Sequence, residues 1–275
     1  MGLFQCIREK KPLIHCITNY VTVNDCANIL LASGASPVMA DDTEEVEEIT
    51  ALADALVINI GTLNARTIEA MLLAGKRANE LSHPVILDPV GAGASTLRTK
   101  TARRLLEAVH FDVIRGNPSE LKALVGERAS TRGVDAAPTD AVRADNVRAA
   151  LAFVRGIARE THSIIAMTGA VDIVVSADGT RGASIYNGHP MMAAVTGTGC
   201  QLSSLLGAAL AAGREDAFTT SVGTVAAMGI AGETAHRLLT PTDGNAAYRS
   251  RIIDAVYNMT DAELEEESRY EICRL

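Results

Sequence analysis

The chemistry most visible in this chain lies in Val195-Thr196-Gly197-Thr198-Gly199-Cys200, which runs directly into a helical pattern of small and apolar residues from Gln201 to Ala212. Two glycines alternating with threonines let the backbone approach a ligand closely. A helix beginning there aims its unpaired N–H groups and the positive end of its dipole at the same spot. Gly197, Thr198, Gly199 and Cys200 therefore read as an anion hole, and phosphate is the usual occupant of such a site. The same field should lower the pKa of the Cys200 thiol. A plain Gly-rich turn capping a buried helix fits these residues equally well, so the reading depends on what else converges there.

Asp88 ends the apolar run that starts at Pro84 and is followed by Pro89, Val90 and the flexible stretch Gly91 to Ser95. A carboxylate thus stands at a strand C-terminus, the edge where open α/β sheets hold their ligands; a turn residue beside Pro89 is the alternative. Arg115 closes the next run, Asp112 to Arg115, with Glu120 shortly beyond it. The order Asn117, Pro118, Ser119, Glu120 also has the spacing of a reciprocally capped helix start. Thr168 and Gly169 end a further buried run from Ser163.

These residues need a scaffold, and the hydrophobic pattern supplies one. Apolar runs at Leu13–Thr18, Ala55–Gly61, Pro84–Val90, Asp112–Arg115 and Ser163–Gly169 read as buried strands, with Ser36–Ala40 as a short extended piece. Helical spacing lies between them: Val21 to Gly34 with Asn24 as cap, a helix entered through Asp41 and Asp42, and one from Asn64 to about Leu81. Further helices are expected around Arg103–Val109 and from about Asp140 to Glu160, with Ala123 to Thr139 as a surface connection. Beyond Gly169 the alternation breaks: Val171–Ser176 and Arg181–Tyr186 flank an Asp178-Gly179 turn, which disfavours a closed eight-stranded barrel. Three helices (Thr198–Ala212, Ala217–Leu239, Asn245–Met259), a charged segment and a last strand from Tyr270 to Leu275 complete the chain.

With 275 residues, 48% hydrophobic, the expectation is one α/β domain spanning 1–275. A net charge of −8 argues against nucleic acid or an anionic membrane as partner, so any phosphate site is local. The N-terminal residues lack a signal-peptide pattern, and no stretch reaches about 18 unbroken apolar residues, so a cytoplasmic protein is expected. Five cysteines without C-x-x-C spacing suggest neither disulfides nor zinc. His15, inside a strand, reads as a core histidine.

Taken together, the ordered set Asn19-x-Val21-x-x-Asn24-x-x-Ala27-Asn28, Ser33 to Ala40, Asp88 to Gly93, Arg115 to Glu120, Thr168-Gly169 and Gly197 to Cys200 closely resembles the hydroxyethylthiazole kinases of thiamine salvage. The resemblance runs from about Pro12 to Met259. It implies a ribokinase-like, three-layer α/β/α fold with a mostly parallel central sheet, in which ATP and Mg²⁺ serve to phosphorylate the hydroxyl of 4-methyl-5-(2-hydroxyethyl)thiazole. It further implies a homotrimer with active sites between subunits. Residue by residue, it implies thiazole contact at Met39, substrate contact at Gly197, ATP binding at Arg115 and Thr168, magnesium near Asp88 and Glu120, and catalysis at Cys200. The residues themselves agree on chemistry, because phosphoryl transfer needs positioning and charge neutralisation more than covalent help. No Walker lysine motif is present. A hydroxymethylpyrimidine kinase of the same fold is the alternative, favoured less by the segment through Met39. A cysteine hydrolase would need a histidine beside Cys200, and only His189 is near in sequence. A non-catalytic nucleotide-binding module is a third possibility.

Overall fold

Apolar runs become the central strands, covered on both faces, while the strands at the two ends of the sheet are largely exposed. The strands are β1 (Leu13–Ile17), β2 (Ser36–Val38), β3 (Ala55–Asn59), β4 (Val85–Asp88), β5 (Val113–Gly116) and β6 (Ile164–Met167), followed by β7 (Asp172–Val175), β8 (Arg181–Ile185) and β9 (Tyr270–Arg274). The computed structural model of the chain describes residues 2–126, 142, 146–213 and 216–275. All nine strands form one sheet in the order β2-β1-β3-β4-β5-β6-β7-β8-β9. Pairings from β2 to β6 are parallel, and those from β6 to β9 are antiparallel. The break in alternation after Gly169 is therefore the point where the sheet changes from crossover connections to hairpins.

The helices are α1 (Leu3–Lys10), α2 (Val23–Ser33), α3 (Val46–Leu52), α4 (Ala65–Glu80), α5 (Thr96–Ala108), α6 (Pro118–Val125), α7 (Val147–Thr161), α8 (Thr198–Ala212), α9 (Ala217–Arg237), α10 (Asn245–Asn258) and α11 (Asp261–Glu267). They divide into two layers because successive strand residues face opposite sides. Ala55 and Val57 of β3 join Leu206, Val225 and Ile252 in the core on the α8–α9–α10 side. Leu56 and Ile58 join Met71, Leu105 and Val154 on the α4–α5–α7 side. The expected three-layer α/β/α arrangement is what forms.

Local signals explain most boundaries. Asn64 accepts from the Thr67 N–H and completes a capping box at α4, and Gly34 ends α2 at φ 98°, a conformation that favours glycine. Others differ from expectation. Val23 opens α2 with Thr22 before it, so Asn24 lies inside the helix rather than capping it. Asp42 makes a turn by accepting from the Glu44 N–H, which delays α3 until Val46. Ser95 accepts from the Arg98 N–H and starts α5 well before Arg103. Of the segment expected as a surface connection, residues 127–139 lie outside the described part, and so does most of the start expected for α7. Among the described residues no helix is long and apolar enough to cross a membrane.

Candidate active site

Parallel strands deliver their C-terminal residues to one edge. Asn19 lies just past β1, Asn59 ends β3, Asp88 ends β4, Arg115 is the penultimate residue of β5 and Thr168 follows β6. Asn59 and Asp88 are direct register partners across the β3–β4 pair. Helix α8 packs against β1, β3, β4 and β5 and brings its first turn to this edge. Gly197 precedes the helix at φ 92°, which only glycine adopts readily, and any side chain there would run into Thr22. No side chain caps α8. Its first intrahelical bond runs from the Gln201 N–H to the Gly197 carbonyl. The amides of Thr198, Gly199 and Cys200 are thus the open donors of a helix N-terminus. Gly199 carries no Cβ because one would overlap the Arg115 guanidinium.

Beneath that turn lies a buried polar network. Asp88 Oδ2 accepts from Asn59 Nδ2 (2.9 Å), Ser203 Oγ (2.9 Å) and Arg115 Nη2 (3.1 Å), while Arg115 Nε donates to Ser203 Oγ (3.1 Å). Asp88 is fully buried and Arg115 is 6% exposed. Asp88 Oδ1, equally buried, has no hydrogen-bond partner among the described residues. Burial pushes the Asp88 carboxyl up from its ordinary range, against the pull of Arg115, and the charge of nearby Glu120 pushes it the same way. Glu120 holds the loop after β4 to the start of α6: its oxygens accept from the Gly91 N–H (2.8 Å) and the Asn117 N–H (2.9 Å). The capping box at Asn117–Glu120 forms, and the same Glu120 carboxylate lies close enough to Asp88 to raise its pKa.

Cys200 is 8% exposed, and its Sγ accepts from Asn59 Nδ2 (3.2 Å) and Asn19 Nδ2 (3.4 Å). The expected lowering of its pKa is not what the site produces. Burial and the Asp88 carboxylate push the thiol up, and a Thr22 hydrogen bond, the Arg115 charge and the Asn19 hydrogen bond only partly oppose them. Among the described residues no histidine bonds the sulfur: His189 stacks on His236 with ring centroids 3.6 Å apart, and its Nδ1 accepts from the Met191 N–H. That removes the partner a cysteine hydrolase would require.

The arrangement resembles known proteins over nearly its whole length. A family model described as the hydroxyethylthiazole kinase family matches residues 4–262. The chain belongs to the hydroxyethylthiazole kinase family. A hydroxyethylthiazole kinase from Clostridium acetobutylicum is 52% identical over 265 residues, which cover 96% of each chain. The solved structure of hydroxyethylthiazole kinase from Pyrococcus horikoshii OT3 superposes with a TM-score of 0.84 at 38% identity, covering 98% of this chain and 97% of that one. At 14% identity and a TM-score of 0.60, a ribokinase-like superfamily protein from Enterococcus faecalis V583 shares the fold, over 89% of this chain and 87% of its own.

Within this hydroxyethylthiazole kinase family member, Asp88, Arg115, Glu120, Thr168 and the Gly197–Cys200 turn meet at one sheet edge, as the sequence indicated. Thr168 is half-buried, and its N–H donates to the Gly116 carbonyl at the end of β5 (2.9 Å). Met39 stands apart, one residue past the edge strand β2 and half-buried against the core, with β1 and β3 between its strand and that of Asp88. Asn59 and Ser203 were not singled out from sequence, and Asn19 entered only as the first residue of a motif. The one available signal was an Asn interrupting the apolar run Ala55 to Ile60 at its C-terminal end.

Proposed function

We propose that the protein transfers the γ-phosphoryl group of ATP to the hydroxyl of 4-methyl-5-(2-hydroxyethyl)thiazole, a step of thiamine salvage, as a single cytoplasmic kinase domain spanning 1–275. The observation that carries this reading is the convergence, at one sheet edge, of an uncapped helix N-terminus, a buried Arg115–Asp88 pair and the Cys200 sulfur. In the transfer, a bond forms between the alcohol oxygen and the γ-phosphorus as the bond to the β-phosphate oxygen breaks. Charge on the moving group would be met by the Thr198, Gly199 and Cys200 amides and by Arg115, whose fixed fork suits phosphate oxygens. Thr168, on the adjoining strand end, would hold the nucleotide from the other side. Cys200 would take the hydroxyl proton.

The donors present suit magnesium. Asp88 Oδ1 is a carboxylate oxygen without a partner among the described residues, Glu120 is close enough to raise the Asp88 pKa, and magnesium uses one or two carboxylates with water and phosphate oxygens. When bound it would neutralise the β- and γ-phosphates. Met39, beside edge strand β2, suits a thiazole wall completed by a second subunit of a homotrimer. Coupled ATP consumption tests the reading: turnover with the thiazole alcohol that depends on magnesium is expected. Faster turnover with hydroxymethylpyrimidine, or nucleotide binding without transfer to either alcohol, would overturn it.

A further inference from the structure

Two side-chain amides meet at Cys200, and their orientations can be deduced from the backbone. The Gly61 N–H, which can only donate, points at Asn59 Oδ1 (2.9 Å), and the Asp88 carboxylate, an acceptor, faces Asn59 Nδ2 (2.9 Å). Turning this amide over would set N–H against N–H at one end and oxygen against oxygen at the other. The Thr22 N–H likewise donates to Asn19 Oδ1 (3.1 Å), so Asn19 Nδ2 is left to serve Asn59 Oδ1 (3.0 Å). Both amides therefore present an N–H, not an oxygen, to Cys200 Sγ. The sulfur is an acceptor twice over. Its own proton, when present, must leave along a direction that neither amide occupies.

Asn59 is the hub of this set. It is 1% exposed, and its amide gives one proton to Asp88 and the other to Cys200 while its oxygen accepts from Gly61 and Asn19. Every hydrogen-bonding valence is used, so the amide cannot rotate without stranding a buried group. We propose that Asn59 is a positioning residue that locks the Cys200 sulfur and the Asp88 carboxylate into one arrangement, and that it acts on turnover through Cys200. The inference rests on Cys200 accepting the substrate hydroxyl proton. Asn59 itself touches neither substrate nor nucleotide in this role. It keeps Sγ aligned as the oxygen–phosphorus bond forms, the proton passes to the thiolate and ADP departs.

The test combines kinetics with a spectrum. Asn59→Ala should lower kcat by about tenfold, the scale of a small misplacement of a reacting group, with KM for ATP and for the alcohol within about twofold of wild type. In a Cys200→Ala background the same substitution should cost about twofold or less, because residues acting as one unit are not additive. A full loss in both backgrounds, or a rise in KM for ATP with kcat unchanged, would overturn the proposal. Asn59→Asp keeps the acceptor that Gly61 and Asn19 need but replaces the donors with an oxygen that faces the Asp88 carboxylate; it should lose more kcat than Asn59→Ala. The Raman S–H band of Cys200, isolated as the difference between wild type and Cys200→Ala, should move in Asn59→Ala. An unmoved band would overturn the hold on the thiol. If Cys200→Ala turned over like wild type, the base role and the proposed effect on turnover would fail, whereas a shifted band would still uphold the contact.

Discussion

Cys200 is placed between opposing influences: two amide N–H groups and Arg115 favour its thiolate, and burial with the Asp88 carboxylate disfavours it. A thiol raised from its ordinary pKa is rarely ionised at neutral pH, but each thiolate that forms is a stronger base. Because the transition state is loose, the proton need not move early, and a loss of about 10²-fold in kcat, the low end for general-base help, is expected in Cys200→Ala. Cys200→Asp should retain activity, since Asn19 and Asn59 can donate to a carboxylate as readily as to sulfur. Steady-state phosphorylation by both variants checks this, and complete loss in both would contradict the base role. Asp88 carries two tasks, holding Arg115 and offering Oδ1. Asp88→Asn should raise the magnesium needed for half-maximal rate by about tenfold. It should also cost about 3 kcal/mol in chemical denaturation by leaving Arg115 buried without its countercharge. Wild-type magnesium dependence in that variant would remove Asp88 from the metal site.

At the scale of elements, the β6–β7 turn carries a pH dependence that follows from its geometry. Asp172, at the start of β7, accepts from the Gly169 N–H (2.8 Å) beside Thr168. Its pKa is pushed up from 3.8 to about 7 by burial, against that hydrogen bond and the attraction of Arg115. For an acid whose folded pKa exceeds its unfolded one, the fold binds the extra proton, so stability falls as pH rises from about 4 to about 7. The side chain is only half-buried, so the loss should be about 1–2 kcal/mol, less than the full gap would give at about 1.4 kcal/mol per unit. Asp172→Asn, which keeps an oxygen for Gly169, should flatten that slope; identical urea midpoints against pH in both proteins would disprove it. Elements of this kind were unevenly legible in the sequence. Asn64, Gly34 and the Asn117–Glu120 box were readable because capping depends on three or four neighbouring residues. The buried strands were readable because their residues are almost all apolar, with polar ones chiefly at the C-terminal ends. Asn59 was not, since Asp88 reaches it through the register of β3 with β4, Cys200 through the packing of α8 on the sheet, and Asn19 from the segment after β1. The Cys200 pKa was misjudged for a related reason: the helix N-terminus is a local feature, whereas the burial that opposes it, and after it the Asp88 carboxylate, arise only when the sheet and α8 are packed together.

At the scale of the molecule, the two ends of the sheet are finished differently. The β9 end is an antiparallel edge strand, Tyr270–Arg274, that exposes charged residues together with Tyr270 and Ile272. The β2 end is a strand of three residues, and elements adjoining it expose large apolar side chains: Tyr20 and Val21 after β1, and Leu31 on α2, which packs against β2. A short edge strand beside exposed aromatic and aliphatic groups is the surface a neighbouring subunit would cover. Met39 follows that strand at the C-terminal edge of the sheet, the edge that also carries Asn59 and Asp88 two and three strands away, and a thiazole site in a trimer would use it only with a neighbouring subunit's share. Light scattering should therefore give three times the chain mass of 28.9 kDa. Leu31→Arg, a charge placed at this surface and remote from Cys200, should shift the protein toward monomer and lower kcat/KM for the alcohol by about tenfold or more, through loss of the partner's share of the pocket. Unchanged nucleotide binding in the same variant would show that the fold and the Asp88–Arg115 edge survive. A fully active monomer, from either wild type or Leu31→Arg, would rule out a site shared between subunits.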